Sequence, residues 1–167
     1  MNASQSIPPF EELYTRFAPR ILKLCLGYTG EYAQAQDLMQ ETFIKAWQHL
    51  PAFRGNAEVS TWLYRIAVNT CLNHLRTAKR QVAEPLLEQH MATLADDTGE
   101  PDEAVRRLYG CVSQLPETDR LIISLVLDDV PYSEIAQIVG VSEGNLRVKI
   151  HRIKQQLVTL FHQHGPL

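Results

Sequence analysis

The chain has 167 residues, of which 45% are apolar and 21% charged, with a formal net charge of −3. That composition fits one ordinary globular domain or two small ones and excludes fibrous and low-complexity classes. Three cysteines, Cys25, Cys71 and Cys111, are too widely spaced for a CxxC site or a disulfide framework, which implies reduced, buried thiols and a cytoplasmic setting.

The longest apolar run, Leu121–Leu127, is broken by Ser124 and is far too short to span a bilayer. The opening MNASQSIPPF has neither a basic nor an apolar region, so neither a signal peptide nor membrane insertion is expected. Charge is uneven along the chain. Residues 1–78 carry seven basic and six acidic side chains, residues 79–104 two and seven, and residues 105–167 seven and six. The acidity is therefore concentrated in the middle. A local basic face can still bind phosphate, because screening confines each charge to about 8–10 Å. A solvated helix face is the other reading of the C-terminal bases.

In chain order, Leu13, Phe17, Ile21, Leu24 and Tyr28 recur at helical spacing. From Asp37 to Leu50 the residues Met39, Phe43, Ala46, Trp47 and Leu50 share one arc of a helical wheel and are expected to pack inward. Pro51 ends that helix. Asp37, Gln40, Glu41, Lys45 and Gln48 fill the opposite arc, with Ile44 in its middle. An apolar side chain ringed by polar ones suits the centre of a protein contact, although a single exposed Ile is also ordinary. The loop FRGNAEVS follows, with Gly55-Asn56 as turn residues and Ser60 or Thr61 as candidate caps for the next helix.

That helix, Trp62 to Arg76, carries Arg65, Asn69, Asn73 and Arg76 on one face, with Trp62 on the same arc. Leu63, Ile66, Ala67, Thr70 and Cys71 lie opposite and should pack inward. Arginines hold phosphates, amides meet base edges and an aromatic ring stacks, so the stripe suits single-stranded nucleic acid. Trp62 as a core residue with solvated amides beside it is the competing reading.

Residues 77–104 contain Pro85, Gly99, Pro101 and Asp96-Asp97 and show no long helical period, which reads as an acidic, flexible linker. A helix is then expected from Leu115-Pro116-Glu117 to about Asp129. Tyr132–Val139, the turn Gly140-Val141-Ser142 and a third helix give the helix-turn-helix layout. Gly140 supplies a left-handed turn residue and Ser142 the cap. In the last helix Leu146, Ile150, Ile153, Leu157 and Leu160 form the apolar stripe. Arg147, Val148, His151, Arg152 and Gln155 face outward, as residues that read a major groove would, and Lys149 adds charge. An ordinary helical hairpin is the alternative.

The blocks DLMQETFIKAWQHLPAFRG, STWLYRIAVNTCLNHLR, LPETDR and YSEIAQIVGVSEGNLRVKIHRIKQQL, in this order, resemble bacterial RNA polymerase sigma factors of the extracytoplasmic-function (ECF) type. The likeness spans about residues 10–78 and 108–160. It implies an all-α chain of two small helical domains joined by a flexible linker: 1–78, 79–104 and 105–167. It implies that the first domain docks on the clamp of the largest subunit of core RNA polymerase through Asp37, Gln40, Glu41, Ile44 and Gln48. The same domain would capture a flipped base of the melted −10 element, with Asn69, Arg65, Asn73 and Arg76 near the DNA and Trp62 on the same face. The second would read the −35 duplex through Arg147, Val148, Lys149, His151 and Arg152, with Gly144 and Asn145 against phosphate. An anti-sigma factor is implied as a further partner.

The chain departs from the family pattern at Gly144-Asn145, where Gly-Thr is frequent, and at Val148, where a small polar residue is common. Glu143 places a negative charge near phosphate, and Lys154-Gln155-Gln156 is less basic than usual. These differences bear on which −35 sequence is read. A dimeric helix-turn-helix repressor or activator is the main competing function. The sequence has no HExxH, P-loop or GxSxG, so neither catalysis nor a metal or other cofactor is expected.

Overall fold

The computed structural model describes residues 7–81 and 103–163, and every regular element among them is helical. α1 (Phe10–Thr29), α2 (Tyr32–His49) and α3 (Val59–Gln81) form the N-terminal unit. α4 (Glu103–Val112), α5 (Glu117–Leu127), α6 (Tyr132–Val139) and α7 (Glu143–Gln163) form the C-terminal unit. The acidic segment expected at 79–104 lies almost wholly outside the described residues. No helix among those described is long and apolar enough to cross a membrane.

α1 buries all five residues of its predicted stripe and ends at Gly30, whose φ of 71° is the left-handed geometry that glycine adopts without strain. α2 gives way to a 3-10 turn, Leu50–Ala52, because Pro51 lacks an amide hydrogen and disfavours a helical residue before it. α3 starts earlier and runs further than the stripe Trp62–Arg76. Ser60 and Thr61 therefore sit inside its first turn rather than at the cap. Their hydroxyls instead both donate to Oε1 of Glu134, on α6, at 3.0 Å.

α4 has no counterpart among the elements predicted from the sequence. Its apolar positions are Val105, Leu108, Cys111 and Val112, a stripe short enough to merge with the linker preceding it. It packs on α7, where Arg107 stacks over the Phe161 ring at 4.1 Å. α5 ends in a reverse turn in which the Val130 amide bonds the Leu125 carbonyl at 3.1 Å. Asp129 takes φ 57° there, a left-handed position that Asp tolerates better than most residues.

The two units share one hydrophobic core. Leu121, Ile122, Ile123, Ser124 and Leu125 are all buried, and five consecutive residues span more than a full helical turn. α5 is thus covered on every side, by α6 and α7 of its own unit and by α1 and α3 of the other. α1 and α5 cross at Gly27, where an added Cβ would lie 2.2 Å from Ser124 Oγ. That hydroxyl is held by the Arg120 carbonyl at 2.7 Å and has little room to yield.

Cys25 and Cys71 face each other in the N-terminal core, their Sγ atoms 3.9 Å apart. The hydrogen bond that the Cys71 thiol donates to Cys25, and its burial, push that thiol far above its ordinary pKa. Such thiols are poor nucleophiles. Gly27→Ala is expected to destabilise the chain: overpacking costs about 1–3 kcal/mol, more than the ~1 kcal/mol that alanine returns in helix propensity. Urea denaturation measures this, and a higher midpoint for the variant would refute the close crossing.

Candidate nucleic-acid interface

On α7 the buried stripe is Leu146, Ile150 and Ile153, with Leu157 and Leu160 half-buried. Opposite it, Gly144, Asn145, Arg147, Val148, Lys149, His151 and Arg152 are all exposed. Gly140, at φ 76°, turns the chain between α6 and α7. Ser142 Oγ accepts the Asn145 amide at 3.2 Å, which is the anticipated cap and uses one of the free amides of the first turn.

Three basic side chains of α7 are held in place. Arg147 bonds Glu143 Oε1 at 2.7 Å one turn back and lies over the Tyr132 ring of α6 at 5.4 Å. Lys154 Nζ donates to the Tyr132 hydroxyl at 3.3 Å. Lys149 pairs with Asp119 of α5 at 3.2 Å. Exposed pairs of this kind are worth little energetically, but they limit the directions in which the long side chains point. Glu143, anticipated as a nearby negative charge, is thus the partner that orients Arg147.

On α3, Asn69, Asn73 and Arg76 are exposed along one face. Trp62 is half-buried, its ring against Phe53 at 4.9 Å, so it belongs partly to the loop packing. Arg65 is also half-buried, and its Nε donates to the Gln137 carbonyl of α6 at 3.0 Å. The structure therefore keeps three members of the predicted stripe open and engages the other two.

On α2, Asp37, Gln40, Glu41, Ile44 and Gln48 are all exposed, with Lys45 reaching Glu41 at 2.7 Å. Trp47 is not in the core as its arc suggested. It is 62% exposed, beside Ile44 at 58%, and leans edge-on against Phe10 at 5.0 Å. Trp47 sits at the margin of the apolar arc, next to Gln40 on the wheel, and the core beneath is already filled by Phe43, itself flanked by Phe10 and Tyr14. The exposed face thus holds two large apolar side chains ringed by polar ones, where the sequence pointed to one. Among the described residues, no group of three or more His, Cys, Asp or Glu could hold a metal ion.

Two family profiles match the chain: Sigma-70 region 2 over residues 13–81 and Sigma-70, region 4 over residues 105–157. The RNA polymerase sigma-H factor of Pseudomonas aeruginosa is 30% identical over 161 residues, covering 89% of this chain and 83% of that protein. The chain belongs to the ECF family of RNA polymerase sigma factors. The ECF RNA polymerase sigma-E factor of Escherichia coli is 32% identical, covering 89% of this chain and 84% of that one. The fold is that of the Bartonella quintana sigma factor RpoE, solved with the anti-sigma factor NepR (TM-score 0.78, 21% identity, 90% of this chain and 95% of that one). CnrH, solved with the cytosolic domain of CnrY, is also similar (TM-score 0.69, 19% identity, 93% of this chain and 89% of that one). As an ECF sigma factor, the chain directs promoter-specific initiation of transcription.

Ser142→Ala removes the α7 cap and should cost about 0.5–2 kcal/mol, measured by chemical denaturation. An unchanged midpoint would mean that the cap contributes nothing.

Proposed function

We propose that residues 1–78 dock on core RNA polymerase and take the melted −10 element, that residues 105–167 read the −35 duplex, and that 79–104 joins them. The observation that carries this division is the α7 surface: all seven residues expected at the −35 element are exposed on one side of a helix whose other side is core. Arg147, oriented by Glu143 and Tyr132, meets a base edge, and His151 and Arg152 lie along the same groove. Asn69, Asn73 and Arg76 meet the single strand. Ile44 and Trp47, with Asp37, Gln40, Glu41 and Gln48 around them, form the polymerase-docking face.

Chemistry at the promoter belongs to the polymerase, and none is assigned to this chain. It works in the cytoplasm, where polymerase and promoter DNA are found. The Bartonella quintana sigma factor of the same fold was solved with an anti-sigma factor, which supports such a partner here.

In transcription from a genomic library with core polymerase, sequencing of the start sites should return one shared −35 and −10 pair. Random starts would refute the assignment. Arg147→Ala should cost about 1–3 kcal/mol and relax specificity at one −35 base, read by competition on promoter variants. Ile44→Asp should weaken polymerase binding by about tenfold or more and leave the α7 face intact. Equal losses across all −35 variants, or unimpaired polymerase binding, would contradict the respective roles.

A further inference from the structure

Val148 stands in the middle of the exposed face of α7, and its side chain carries no hydrogen-bonding group. It is 52% exposed. The residues one turn before and after it, Gly144, Asn145, His151 and Arg152, are exposed as well. Its two basic neighbours in sequence are drawn off to either side. Arg147 is held toward Glu143 and the Tyr132 ring of α6, and Lys149 toward Asp119 of α5. Gly144 presents no side chain, and a Cβ built there would meet nothing within 4 Å. Val148 also lines a surface depression with Asn145, Arg152 and Gln156. The space in front of it is therefore open, with polar groups around its edge.

The major-groove edges of guanine, cytosine and adenine present hydrogen-bond donors and acceptors, and thymine adds a C5-methyl group. A valine laid against a donor or acceptor strips water from it and returns no hydrogen bond, which leaves that group unsatisfied. Laid against the methyl group, it removes apolar surface from water on both sides. As a β-branched residue, Val148 keeps essentially one side-chain rotamer on a helix. Its methyl groups are fixed before DNA arrives, so the contact costs little conformational entropy.

We propose that Val148 is a specificity-determining residue that packs on the C5-methyl group of one thymine in the −35 element. The proposal rests on the reading of α7 as the −35 surface given above. It supplies what Arg147 cannot: arginine selects a guanine through two hydrogen bonds and says nothing about an A·T pair beside it. The −35 element should accordingly contain an A·T pair whose thymine is needed for its methyl group rather than for its O4.

The test uses the full chain with core polymerase, on a promoter obtained by sequencing start sites. Each thymine of the −35 element, on either strand, is replaced singly by deoxyuridine, which keeps every hydrogen-bonding group and lacks the methyl. At one position, initiation at subsaturating polymerase complex should fall about fourfold, the worth of one buried methyl group. With Val148→Ser, which changes an exposed position and spares the core, the same replacement should have no effect. At that position 5-methylcytosine should initiate about fourfold better than cytosine, and only with the unaltered chain. Deoxyuridine tolerated at every position overturns the proposal. A loss that persists undiminished in Val148→Ser overturns it too, as does a −35 element with no A·T pair. Scrambling the whole −35 element separates the two readings. If scrambling abolishes initiation while deoxyuridine is tolerated, only the methyl contact is rejected. If scrambling has no effect, the assignment of α7 to the −35 element fails, and the methyl contact with it.

Discussion

The structure depends on the burial of α5 on all sides. A surface helix exposes a polar stripe, and a helix apolar all round must be enclosed. Leu121 to Leu125 cannot be satisfied by α6 and α7 alone, because those helices cover only one side of it. α1 supplies much of the remaining cover, and the Gly27–Ser124 crossing permits the close approach. At about 25 cal/mol per Å² of apolar surface removed from water, such a helix is a strong reason for the two units to associate. The polar contacts at Asp128 and Glu134 then determine the register in which they meet.

This arrangement changes how the sigma-factor activity is understood. The side of α7 proposed to read duplex DNA and the side of α2 proposed to dock on polymerase face solvent, while Arg65, on the α3 face proposed for single-stranded DNA, is engaged by α6. A net charge of −3, with no strongly basic unit, leaves little nonspecific attraction to DNA to assist.

Much of this was legible from residue spacing. α1 buries its whole predicted stripe, α7 buries Leu146, Ile150 and Ile153 of its five, α2 buries Met39, Phe43 and Ala46, and the Gly140 turn with its Ser142 cap follows local stereochemistry. Trp47 was misplaced because a wheel gives only an angle, and a residue at the margin of an arc goes wherever the core has room. α4 was missed because its short stripe adjoins an acidic segment. The destinations of Ser60, Thr61 and Arg65 were not legible, since their partners lie more than seventy residues away and no local pattern encodes such a pairing. The run LIISLVL carries a further signal: too short for a membrane, it is also too uniformly apolar for a helix covered on one side.

The shared core is tested most directly by small-angle X-ray scattering of the free chain at physiological salt. The account predicts a radius of gyration of about 15–17 Å and a single-peaked distance distribution. A value of about 25 Å with a second maximum, as two separated lobes on an extended tether would give, would contradict it.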